Sequence, residues 1–106
     1  MAAKEVSVSL IDGICTVPSV TLGPNDNIRW KNETGDDIHI FVPVDKKHGN
    51  GPLNGGFNRS VPNNASADSG PPIHVTAPTN YSYAIYCTAT GVFAVGGSDP
   101  QIIVTP

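Results

Sequence analysis

Residues 5–11 read Glu-Val-Ser-Val-Ser-Leu-Ile, which sets Val6, Val8 and Leu10 on one side and Ser7 and Ser9 on the other. Apolar residues at every second position mark a strand with one buried face. Asp12-Gly13 then supplies a turn, and residues 14–22 form a second strand bent at Pro18, because proline removes a ladder donor. After the turn Gly23-Pro24-Asn25-Asp26-Asn27, alternation returns over residues 28–32 with Ile28 and Trp30 inward. Residues 33–37 are polar and turn-like, and Ile38-His39-Ile40-Phe41-Val42 is extended and ends at Pro43.

Residues 45–72 are dominated by Gly, Asn, Ser, Pro and charge, with Leu53, Phe57 and Val61 as the sizeable apolar anchors. The pattern predicts one long excursion loop there. Ile73 and Val75 flank His74 in a short strand, and residues 77–80 turn. Residues 81–87 then alternate again, with Tyr81, Tyr83 and Ile85 on one face and Tyr86 on the other, and end on Cys87. Ser98-Asp99-Pro100 makes the last turn before a closing strand over 101–105. About seven to eight short strands separated by turns predict an all-β Greek-key sandwich. No stretch carries the periodicity of a long helix.

Composition agrees with this picture. A chain of 106 residues with 39% hydrophobic and 14% charged content is the size of one domain, 1–106, and its 11 Gly and 10 Pro favour turns over helices. Nine acidic and six basic residues give a formal charge of −3, and Lys46-Lys47 is the largest basic cluster. A phosphate backbone needs several cations on one face, so no nucleic acid is expected as a partner. No apolar run reaches the ~20 residues of a membrane span, and the amino end enters a strand pattern without a signal-peptide core. The chain as written is expected to be soluble and cytoplasmic, or secreted or periplasmic if a leader was removed.

Cys15 and Cys87 lie far apart, which excludes a Cys-x-x-Cys motif, and Asn-x-Ser/Thr triplets begin at Asn32, Asn58, Asn64 and Asn80. Taken singly, a Cys on an apolar strand is a small buried hydrophobe. Asp36-Asp37 reads as a solvated turn, and the glycines of 49–56 precede no helix and make no phosphate cradle. No Gly-x-Ser-x-Gly occurs. A thiol beside an imidazole can ionise, so Cys87 with His39 is the one nucleophile pair to be drawn, without an evident orienting residue.

Two stretches carry a family resemblance. An aromatic strand ending in Cys87 and followed by a turn-rich segment to Gly97 resembles the last third of the cupredoxins, the small blue-copper β-sandwiches. Ile28-Arg29-Trp30-Lys31-Asn32, a short loop and then His39 with Ile40-Phe41-Val42 is similar to the strand and first ligand His of that family. The resemblance places His39 and Cys87 at two ligand positions and near each other in space. It puts Thr90 where the second His belongs and Val95 where the axial Met belongs. A type 1 copper centre needs two imidazoles and a thiolate, so the set is incomplete unless His48 or His74 substitutes. The resemblance also brings Cys15 towards Cys87, which leaves two alternatives: a disulfide, or a soft-metal site of Cys15, Cys87 and His39. Cupredoxins dock partners through the apolar surface around the ligand loop, which here implies Val92, Phe93 and Val95 as partner-binding residues.

The function expected is a non-enzymatic cupredoxin-like binding or structural module without an intact copper site and without a cofactor, acting on a protein partner. The alternative is a metal-binding or electron-transfer protein, with copper held by His39, Cys87 and an irregular third ligand. A cysteine-based enzyme is a third reading.

Overall fold

The computed structural model describes residues 2–43, 52–53, 56–70, 72, 75–94 and 100–106. Eleven strands and no helix occur among them: β1 (Ala2–Ile11), β2 (Ile14–Thr16), β3 (Val20–Leu22), β4 (Asp26–Glu33), β5 (Ile38–Val42), β6 (Phe57–Val61), β7 (Ser66–Asp68), β8 (Thr79–Ser82), β9 (Ala84–Cys87), β10 (Val92–Phe93) and β11 (Gln101–Val104). One sheet has the order β2-β1-β4-β7, and the other layer is made of β10-β9-β5-β6 and β3-β11-β8. Strands β8 and β9 are one run of chain interrupted at Tyr83, whose N–H bonds the Pro100 carbonyl instead (3.0 Å).

The Pro18 bend is where the chain changes layer. Before it, β2 pairs antiparallel with β1; after it, β3 pairs parallel with β11 in the opposite layer. The chain returns between β3 and β4 and crosses again between β4 and β5, between β6 and β7 and between β7 and β8, which gives the Greek-key pattern. Parallel pairing of β1 with β4 runs from Ala2 opposite Asp26 to Ser9 opposite Glu33.

Alternation sets the core. Val6 and Val8, Ile28 and Trp30, Ile38 and Ile40, Ile85 and Cys87, and Ile102 and Val104 are all buried between the layers. Trp30 is the largest of them, its ring tilted against Phe57 at 4.9 Å and against Tyr83 at 6.0 Å between ring centres. Its indole N–H donates to the Tyr83 hydroxyl (3.1 Å), so the one polar atom of the ring is satisfied inside the core. Burial pushes the Tyr83 phenol up to about 12, and the Trp30 bond opposes this only in part.

Residues 45–72 are not one structureless loop, which corrects the sequence reading. Strand β6 adds to β5 with Ile38 opposite Val61 and Val42 opposite Phe57, and β7 adds to β4 with Trp30 opposite Ala67. Both are edge strands in which few residues face inward, so Asn58, Arg59 and Ser60 or Ser66 and Asp68 mask the alternation. The three anchors face the core as expected: Leu53 and Val61 are buried and Phe57 packs against the cluster. The strand predicted over 73–75 lies largely outside the described residues, as do His48, His74, Val95 and Gly97.

Candidate functional site

The site implied by the sequence centres on Cys87, at the end of β9, and on the turn that follows. Cys87 accepts backbone bonds from Thr90 and Gly91 (3.2 and 2.8 Å), which close the turn before β10. Gly91 sits at φ +72°, a conformation open to glycine, and lets the chain reverse within four residues. Thr88 is tied to the Asp37 carbonyl through its N–H (3.2 Å) and its hydroxyl (2.6 Å), so this turn is fastened to the loop before β5.

Register decides which side chains meet. In the β5–β9 ladder Ile38 lies opposite Cys87, and His39 lies opposite Tyr86. Paired residues project to the same side and successive residues to opposite sides. Cys87 therefore shares the core side with Ile38, whereas His39 is turned to the outer face with Tyr86. The expected meeting of His39 and Cys87 is corrected here: they occupy neighbouring strands but opposite faces. On the outer face the His39 Nδ1 hydrogen-bonds the Ser60 hydroxyl, and the rings of His39, Tyr86 and Phe93 follow one another at 6.3 and 5.3 Å across three strands.

Cys87 meets Cys15 instead. The two form a disulfide (S–S 2.04 Å, Cα–Cα 6.6 Å) that joins β2 of one layer to β9 of the other, and both sulfurs are buried. Of the two alternatives for this pair, the structure holds the bridged one. Thr90 uses its hydroxyl to reach the Cys87 carbonyl (3.4 Å). The sequence-implied donors thus stand apart: Cys87 is bridged, His39 is on the outer face and Thr90 offers a hydroxyl. Among the described residues no group of three or more His, Cys, Asp or Glu converges for a metal ion.

What the disulfide end does present is apolar surface. Leu10, paired with Cys15, is 38% exposed, and Val92, paired with Cys87, is 56% exposed. Ile11 and Ile14 form an exposed pair at the β1–β2 hairpin tip, and Phe93 follows Val92 at 58% exposure. Val92 and Phe93 are thus accessible, and Val95 lies outside the described residues. Leu10, Ile11 and Ile14 were missed by the sequence reading, although an Ile-Asp-Gly-Ile turn carries two large side chains where polar residues are usual. Two shallow apolar depressions flank Ala84 on the outer face, one lined by Phe41, Pro43 and Ser82, the other by Phe93, Ala94 and Pro100.

A second polar centre lies just behind this end. Asn32 is fully buried, and its amide donates to the carbonyls of Asp36 (2.7 Å) and Val61 (2.9 Å). Its side-chain oxygen accepts from the N–H (3.0 Å) and hydroxyl (2.8 Å) of Thr34. It holds the 33–37 loop to β6, and thereby fixes the carbonyl of Asp37 for Thr88. As a glycosylation triplet it is sterically closed, whereas Asn58, Asn64 and Asn80 are exposed.

No protein family model matches this sequence, and no curated protein does. Among solved structures, the McoA multicopper oxidase of the hyperthermophile Aquifex aeolicus aligns with a TM-score of 0.52 and 10% identity. The alignment covers 99% of this chain and 29% of the oxidase. The 2F4 variant of that oxidase aligns with a TM-score of 0.50 at the same identity and coverage. The fold is cupredoxin-like. At this identity the likeness speaks for architecture alone, and this cupredoxin-like chain spans well under a third of the oxidase.

Proposed function

We propose that this chain is a non-enzymatic cupredoxin-like binding module that works without a type 1 copper centre and contacts a protein partner through its disulfide end. The observation that carries this reading is the Cys15–Cys87 bridge in place of a free thiolate, with exposed Leu10 and Val92 on the bridge's side of their strands and exposed Ile11, Ile14 and Phe93 on neighbouring positions at the same end. A buried disulfide makes the end of the sandwich rigid, and large apolar side chains left in water beside it mark a contact surface. The long strands behind it act as the scaffold.

A second reading has its own support: the two aligned structures named above are of a multicopper oxidase and its variant, and reduction would release two neighbouring thiolates suited to Cu(I) or Zn(II). Copper titration of the oxidised and the reduced protein, with Cu(II) and Cu(I), separates the two. The binding-module reading predicts no intense thiolate-to-Cu(II) absorption in either state. A blue species at one equivalent that disappears in Cys87→Ser overturns it and installs the metal reading.

A further inference from the structure

We infer that the partner of the disulfide end is a protein surface with an apolar centre and a Lys- and Arg-rich rim. This rests on the docking reading above and adds the chemistry of the occupant. Charge is distributed unevenly over the described part of the sandwich.

The bridge between β2 and β9 fixes which edges lie over each other. In the sheet orders β2-β1-β4-β7 and β10-β9-β5-β6, it sets the β2 edge over the β9–β10 side and therefore β7 over β6. The exposed apolar residues stand on the β2/β10 edge, at the end where β1 and β4 finish and β5 begins. Four exposed carboxylates belong to that same end. Asp12 is at the hairpin tip beside Ile11 at φ +53°, Glu33 is opposite Ser9, and Asp36 and Asp37 lie in the loop bonded to Thr88. Of the described cations, Lys31 is the one closest to them in sequence, two residues before Glu33.

The remaining described cations are elsewhere. Arg29 is held by Asp68 on the opposite edge (2.8 Å), and Arg59 of β6 is near enough to help lower the Asp68 carboxyl. Lys4 lies at the far end of β1, about 20 Å from Ile11 at the rise of a strand. Among the described residues, the contact end therefore carries four carboxylates around apolar side chains, with Lys31 the one cation near them and Lys4, Arg29 and Arg59 elsewhere. Two copies placed end to end would bring eight carboxylates together around the contact, and an anionic lipid surface would meet the same repulsion. A basic rim around an apolar centre complements both parts of the surface.

The test uses the full oxidised chain and two synthetic amphipathic helical peptides with the same Leu face, one flanked by Lys and the other by Glu, followed by fluorescence anisotropy. The Lys-flanked peptide is expected to bind at least about tenfold more tightly than the Glu-flanked one, and to weaken as salt is raised. Asp12→Asn combined with Asp37→Asn should remove most of that preference, and Val92→Ser should weaken both peptides. Near-UV circular dichroism of Trp30 verifies that each variant is folded, and Phe41→Ser on the outer face serves as the apolar control. Equal binding of the two peptides overturns the basic-partner inference and leaves the docking surface standing. Binding of neither peptide overturns both. A dimer seen by sedimentation velocity and dissolved by Val92→Ser assigns the surface to a second copy and also overturns the inference.

Discussion

The indole N–H of Trp30 donates to the Tyr83 hydroxyl from the opposite layer, 3.1 Å away in a buried bond. The phenol is thereby a pH-dependent part of the core. Its folded value is about 12, against about 10 in an unfolded chain. With the folded value raised, the neutral phenol's contribution is fully present below pH ~10 and is lost as pH rises towards ~12, a total on the order of 3 kcal/mol. Tyr83→Phe removes this dependence but leaves the indole without a partner, at about 1–2 kcal/mol. Urea melts of both proteins from neutral pH upward should show a gap that narrows above pH ~10. A constant gap across that range contradicts the assignment.

Asn32 makes four hydrogen bonds at zero exposure, so truncation strands several buried groups at once. Asn32→Ala should cost about 3 kcal/mol, and Asn32→Asp a comparable amount, since the carboxylate cannot donate to Asp36 and Val61. Equilibrium denaturation measures both. A loss below about 1 kcal/mol for either one shows that water replaces the amide.

The Cys15–Cys87 bridge closes a separation of 72 residues. On loop-closure grounds it contributes about 4 kcal/mol. The Cys15→Ala, Cys87→Ala double variant should therefore unfold at markedly lower denaturant, and the wild type in excess reductant should follow it. Coincident curves for oxidised and reduced wild type would remove the bridge from the account of stability.

His39→Ala is expected to change stability by no more than about 0.5 kcal/mol, because the ring lies on the outer face with Ser60 and Tyr86. Copper titration curves of this variant should overlay those of the wild type. A lost equivalent of bound copper in His39→Ala would show that the outer face holds a metal after all.

The core strands were legible because each has two or three inward residues at a period of two, as in Val6 and Val8 or Ile38 and Ile40. Pro18 was legible too, and its bend is the point where the chain leaves one layer for the other. Edge strands escape such reasoning. Residues 66–68 have Ala67 alone buried, and residues 57–61 have Phe57 and Val61 at their ends, so neither shows an alternation. For the site, periodicity and family likeness pointed in different directions. Ile38 and Ile40 inward already turn His39 outward, while the likeness drew His39 towards Cys87; the ladder register follows periodicity. Exposure of Leu10 could not be read from its inward phase, because that depends on its place at the open end of the sandwich.

The parallel pairings give the molecule a handle. Ala2 lies opposite Asp26, and the Thr105 N–H bonds the Leu22 carbonyl (2.9 Å), so Ala2 and Thr105 both flank the turn over residues 22–26. Strand β1 separates that turn from the β1–β2 hairpin by about 30 Å. Anything joined through Ala2 or Thr105 will therefore hold the sandwich by its base and leave Val92 and the carboxylates facing outward.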